Sequence, residues 1–157
     1  VDGSEKIIST SGEYPSINGE FVSVDTKLIE KGYEAPIHDF SIELDGEDMS
    51  GELLNEEKLL MFVLYNLSKS NFNSSTELIK ISKLAVENGY KVIGITASGI
   101  EKQVEVKTQF GFEFDFYTCD ETALKTIIRS NPGALEIKSG TIVNKWHYND
   151  FNKIKFD

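Results

Sequence analysis

Cysteine is the scarcest reactive residue in this chain: Cys119 stands alone among 157 residues. A single thiol excludes an internal disulfide and every zinc pattern built on several cysteines. Histidine is nearly as scarce. His38 and His147 stand far apart, with no further ligands at metal-binding spacing, so both read as hydrogen-bonded surface or edge residues. Neither a metal nor a cofactor is expected. Long apolar runs are also lacking. The longest, over 59–65, is strand-sized and far short of the ~20 residues a helix needs to cross a bilayer, so no direct membrane insertion by these residues is expected. Positive charge is the minority sign, with 16 Lys and Arg against 26 Asp and Glu and a net charge of -10. That balance argues against nucleic acid, whose phosphates need basic stripes, and against docking on an anionic lipid surface.

What is present describes one ordinary domain. At 39% hydrophobic and 27% charged, the chain has a globular composition and is long enough for a single core. It opens Val1-Asp2-Gly3-Ser4, without an initiator Met or a signal-peptide pattern, and reads as a processed form or a piece of something longer. Residues 1–35 are expected to form an extended N-terminal segment, partly ordered and able to pair with the domain at 36–157. Within the segment, "EFVSVDTKLI" suggests a strand or extended lead-in.

The remainder alternates. A short strand through Phe40, Ile42 and Leu44 leads to a turn at Asp45-Gly46 and a short helix that Ser50 can cap. The run 58–65 is almost wholly apolar, as in a strand buried on both faces. A helix from Ser74 or Ser75 to Asn88 follows, with Leu78, Ile81, Leu84 and Ala85 at helical spacing and Gly89 at its stop. "KVIGIT" is the next buried strand. A helix capped by Ser98 and ended by Gly111 comes after it, then the strand "FEFDFYT" and a short helix capped by Asp120. The rhythm then changes to a hairpin, 134–138 and 141–147, turning at Ser139-Gly140, with a turn of helix near the end. The fold class is α/β: a mixed sheet flanked by helices on both faces.

Two resemblances follow from particular residues. The element order resembles the thioredoxin fold in its TlpA/peroxiredoxin-type variant. The stretch "RSNPGALEIKSGTIVNKW" carries the likeness, with Pro132 at the place of that fold's proline, commonly cis, before the terminal hairpin, and Gly140, Thr141, Ile142 and Val143 in the hairpin. Asp120, after the short strand before it, fits as well. "KGYEAPIHDFSI", "DETALKTIIRSNPG" and "GTIVNKWHYNDF" together resemble the C-terminal soluble domain of DoxX-type membrane proteins of the Bacteroidetes kind. That resemblance implies a membrane part elsewhere in the chain and a domain tethered to the bacterial inner membrane on its periplasmic side.

The chemistry departs from the family. A working thioredoxin needs Cys-x-x-Cys in the turn after the first central strand, where a helix N-terminus activates the thiolate. Here that turn reads "LYNLSKSNFNSS", with Ser, Lys and Asn in both cysteine positions. A serine hydroxyl without a neighbouring base does not replace a thiolate. The sites left are for recognition. Ser68, Lys69, Ser70 and Asn71 can bind an anion or peptide, or can be ordinary surface and capping residues. Arg129, Ser130, Asn131 and Pro132 form the loop facing that turn, and an extended peptide can pair along its backbone. Arg129 can meet a carboxylate or phosphate, or be a solvated helix-end cation. Trp146, Tyr148 and Phe151 can form a binding aromatic cluster, or be core as aromatics on a terminal hairpin more often are, and the acidic stretch 43–57 lacks calcium-loop spacing. The expected function is binding of a protein or peptide partner, which can be the membrane part of the same chain. The alternative is a thiol-dependent oxidoreductase or peroxidase using Cys119, which lies at the same end of the sheet; a half-buried packing thiol is the other reading of that residue.

Overall fold

The computed structural model describes residues 40–156, together with the isolated positions 7, 20, 22 and 23. The expected extended segment 1–35, apart from those positions, and the lead-in strand within it lie outside the described residues.

Strand β1 (Glu43–Leu44) and β2 (Glu47–Asp48) form a small hairpin. Asp45 (φ 52) and Gly46 (φ 86) make its turn, a conformation that glycine and aspartate tolerate. Helix α1 (Ser50–Leu54), β3 (Leu59–Val63), α2 (Ser75–Glu87), β4 (Lys91–Thr96), α3 (Ile100–Phe110), β5 (Asp115–Thr118) and α4 (Glu121–Ile127) follow. The closing hairpin is β6 (Gly133–Lys138) and β7 (Thr141–His147), succeeded by a 3-10 helix, Tyr148–Lys153. One sheet runs β2-β1-β5-β4-β3-β6-β7. Strands β3, β4 and β5 are parallel, and β6 and β7 antiparallel to their neighbours. This is the expected mixed sheet flanked by helices. Because β3, β4 and β5 run the same way, the loops that follow them collect at one end.

The apolar run of β3 works because side chains alternate across a strand. Leu60, Phe62 and Leu64 enter one core, with Leu78, Ile81 and Ala85 of α2, Val106 of α3 and Phe151. Leu59, Met61 and Val63 enter the other, with Leu53 of α1 and Ala123 and Leu124 of α4. The first core holds a ladder of phenylalanines. Phe72 stacks on Phe110 at 4.3 Å, and Phe110, Phe112 and Phe114 continue at 5.8 and 5.1 Å. Phe114 meets Phe62 at 5.5 Å. Among the described residues, no helix is long and apolar enough to cross a membrane.

Two expected caps are differently used. Helix α1 begins at Ser50, but Ser50 Oγ accepts the Ile42 amide (2.8 Å) and donates to Asp48 (2.6 Å), tying the helix start to the β1–β2 hairpin. Helix α3 is preceded by Gly99 with no side-chain cap; Ser98 points elsewhere. The Asp120 cap is as expected, its carboxylate accepting the Ala123 amide at 2.9 Å. The 3-10 helix uses His147 Nδ1, which accepts the Asn149 amide at 3.2 Å.

At the far end of the sheet, Glu136 of β6 is 4% exposed. Its carboxylate accepts from the Tyr90 hydroxyl, from Asn144 Nδ2 (2.7 Å) and from Lys138 Nζ (3.1 Å). Burial pushes this carboxyl up, but the bonds from Tyr90, Asn144 and Lys138 and the Lys138 charge outweigh it and leave its pKa below the ordinary 4.5. A depressed carboxyl adds stability that is complete above its unfolded value and is lost as pH falls through its folded value. Glu136→Gln is therefore expected to lower the urea midpoint at neutral pH, and the gap to the wild type should narrow at about pH 3. A gap that stays constant across that range would show that the charge of Glu136 contributes nothing.

Candidate functional site

The turn after β3 and the loop before β6 meet, and they meet through hydrogen bonds to each other. The turn continues β3 through two 3-10 turns, Leu67–Lys69 and Phe72–Ser74, that deliver the chain into α2. The Asn131–Pro132 peptide is cis. The Asn131 amide group spans the gap: Nδ2 donates to the Asn66 carbonyl at 2.9 Å, and Oδ1 accepts from Ser70 Oγ at 2.8 Å. The backbone adds a third tie, the Asn71 amide donating to the Asn131 carbonyl at 2.9 Å. On its own side of the loop, Ser130 Oγ donates to the Pro132 carbonyl and accepts the Tyr148 amide at 3.2 Å.

The turn is latched from the other side as well. Ser98, just after β4, accepts the Leu67 amide at 3.0 Å. Its own amide donates to Thr96 Oγ1 (3.1 Å), and its carbonyl accepts from Gln103 Nε2 (2.8 Å). Thr96 and Gln103 are buried. A buried polar residue must find partners, and here those partners hold the turn in place.

The candidate residues therefore divide by exposure. Asn131 and Pro132 are buried, Ser70 and Asn71 are half-buried, and Ser68, Lys69 and Arg129 face outward. The Asn131 carbonyl, part of the backbone edge on which a peptide was expected to pair, already accepts from Asn71. Asn66 and Ser98 belong to the same assembly, although neither is among the binding residues the sequence suggests. The helix-start position of Ser98 masked its other use.

Arg129 sits between two shallow clefts. One, of about 560 Å³, is lined by Tyr65, Thr122, Lys125, Thr126 and Arg129. The other, of about 320 Å³, is lined by Ile128, Arg129, Ser130, Lys145, Trp146 and His147. Lys125 is placed by Glu121 at 2.7 Å and lies 5.4 Å from the centre of the Tyr65 ring. Lys145 Nζ donates to the Ile127 carbonyl at 2.9 Å.

Cys119 follows β5 at the same end of the sheet, and its amide donates to the Thr96 carbonyl at 3.0 Å. The side chain is 5% exposed and belongs to the core of α1 and α4, whereas Leu67 of the turn belongs to the other core. Burial pushes the thiol up to about 11; the Asp120 amide acts against this, and the Asp120 and Glu43 charges add to it. At pH 7 roughly one molecule in ten thousand then carries a thiolate. Among the described residues, no group of three His, Cys, Asp or Glu side chains is placed to hold a metal.

No protein-family model matches the chain, and no curated protein matches it. Solved structures do. A thiol-disulfide oxidoreductase from Bacteroides fragilis NCTC 9343 matches with a TM-score of 0.54 at 16% identity, over 68% of this chain and 84% of that one. A thiol:disulfide interchange protein from Bacteroides sp. gives 0.54 at 14% identity, over 73% and 81%. The thioredoxin domain of a thiol-disulfide oxidoreductase from Bacteroides vulgatus gives 0.55 at 14% identity, over 73% and 89%. At such identities the likeness is one of architecture. The domain has the thioredoxin-like fold of these oxidoreductases, and its single cysteine lies outside the turn that follows β3.

Proposed function

We propose that this domain performs recognition rather than thiol chemistry. It holds a protein or peptide partner and serves a DoxX-type membrane part of its own chain, on the periplasmic side of the bacterial inner membrane. The observation that carries the first part is the occupancy of the turn. Where the thioredoxin resemblance places a reactive dithiol, Ser70, Asn66 and Asn131 bond to one another, and no nucleophile or base stands among them. The turn is thus held by hydrogen bonds and carries no thiol, with Ser68, Lys69 and Arg129 directed outward. Hydroxyls and cations on a fixed frame suit binding, because little conformational freedom is lost when a ligand arrives. The membrane tether rests on the sequence resemblance across 31–151.

Two measurements test this reading. Near pH 8, Cys119 in the folded protein is expected to alkylate at least about a hundredfold more slowly than in the denatured chain, with the native rate still rising at about pH 10. Fast native labelling with a midpoint below that of a free thiol would move the chemistry to Cys119 and establish the single-cysteine alternative. For the binding half, a photo-crosslinking residue at position 68 of the full-length protein in cells should trap a polypeptide that the same residue at position 87, on the far end of α2, does not. Equal trapping at both positions would refute recognition at the turn.

A further inference from the structure

Among the described residues, the linings of the two clefts beside Arg129 hold three cations and no carboxylate, with Glu121 paired to Lys125 at 2.7 Å next to one of them. We infer that the two clefts sharing Arg129 bind an acidic polypeptide segment, with Arg129 as the central carboxylate contact. The inference rests on the recognition reading and names the partner's chemistry.

Acidic residues outnumber basic ones 26 to 16 in the chain. Among the described residues, however, neither cleft is lined by a carboxylate, and the two linings contribute Lys125, Arg129 and Lys145. Two of these cations are already placed. Lys125 is held between Glu121 and the Tyr65 ring, and Lys145 is bonded to the Ile127 carbonyl. Their positions are set before a ligand binds, which lowers the ordering cost of association. Arg129 is exposed, and a guanidinium receives a carboxylate through two parallel hydrogen bonds. Tyr65 and Trp146 supply one apolar wall in each cleft, against which the stem of a Glu side chain or a neighbouring apolar residue can lie.

Two simpler accounts explain less. Cations collect at helix C-termini because the last carbonyls carry partial negative charge, and the Lys145–Ile127 bond is of that kind. That accounts for a cation, not for recesses on both sides of Arg129 free of lining carboxylates. An anionic membrane prefers a broad protruding basic face. Exposed cations lining two shallow clefts of a chain of net charge -10 instead suit a narrow acidic strand.

The test is fluorescence anisotropy with a labelled peptide of about ten residues alternating Glu and Ala, and a Gln-Ala peptide as control. The Glu peptide should bind saturably and weaken with salt, and the Gln peptide should not bind. Arg129→Gln should weaken binding by about tenfold and Lys145→Gln by about threefold, both at exposed positions where folding is retained. Lys80→Gln, on the exposed side of α2, should change it by less than about twofold. Equal binding of both peptides, no loss in Arg129→Gln, or a preference for phosphatidylglycerol vesicles over the peptide would each overturn the inference. Failure here with specific crosslinking at position 68 intact removes the acidic partner and leaves the recognition reading standing; loss of that crosslinking removes the recognition reading itself.

Discussion

Gly94→Ala is expected to cost the domain about 3 kcal/mol of stability, the upper end of the range for overpacking a core. Gly94 lies in the middle of β4, paired with Phe62 of β3 on one side and Phe116 of β5 on the other. A Cβ there would stand 2.6 and 2.7 Å from the Phe116 ring and 2.8 Å from the Phe114 ring. Neither ring has room to yield. Phe116 is set against Phe114 at 5.5 Å and Phe112 at 6.3 Å, and Phe114 is held in turn by Phe62 and Phe112. The sign makes the prediction sharp. Replacing a strand glycine with alanine otherwise stabilises by roughly 0.4–1 kcal/mol through the unfolded chain. Urea unfolding of Gly94→Ala, Phe116→Leu and the double variant decides it. The two changes should be non-additive, the double variant recovering at least about 1 kcal/mol relative to the sum of the singles. A neutral or stabilising Gly94→Ala would show that the phenylalanine ladder adapts and does not constrain β4.

Asn131→Ala should cost about 1–3 kcal/mol and release the turn after β3. The amide is buried and makes two side-chain bonds, to the Asn66 carbonyl and the Ser70 hydroxyl. Removing it takes away both bonds, although the Asn66 carbonyl still accepts from the Lys69 amide (3.1 Å) and from Ser70 Oγ (3.0 Å), so the cost is that of two lost bonds at about 0.5–1.5 kcal/mol each. Ser70→Ala should cost less, about 1 kcal/mol, since Asn131 then keeps its bond to Asn66. Hydrogen exchange separates a local from a global effect. In Asn131→Ala the amides of Leu67 and Asn71 should exchange at least about tenfold faster at the same overall stability margin, because both are tied into the latched turn. Unchanged protection of those two amides would mean that the turn is held by Ser98 and the backbone alone.

Much of the fold was legible because its signals are local. The strand Lys91–Thr96 and the helix Ser75–Glu87 follow from apolar runs and helical spacing, and Asp120 caps its helix as its place before "ETALKTI" implies. Ser139-Gly140 turns the closing hairpin with both residues at positive φ, 46 and 77. The sequence misled where a serine had two possible uses. Ser98 and Ser50 stand where caps stand, yet each spends its hydroxyl on a distant strand or turn. Glu136 also went unremarked. A carboxylate between Leu135 and Ile137 in a buried strand is a signal that a partner must exist, but Tyr90, 46 residues away, could not be found from spacing.

By itself the sequence determined the order of strands and helices from β3 onward, the closing hairpin and the absence of a dithiol. These depend on residue type and near neighbours. The strand expected through Phe40, Ile42 and Leu44 is only Glu43–Leu44, and β2 beside it carries no apolar run to announce it. The tertiary structure alone decided that Cys119 is sealed in a core away from the turn, that Ser70 and Asn131 bond across 61 residues, and that Lys125, Arg129 and Lys145 gather around neighbouring clefts. Burial and long-range hydrogen bonding are properties of which surfaces meet, and a hydroxyl, amide or thiol acquires its chemistry only when its surroundings are set.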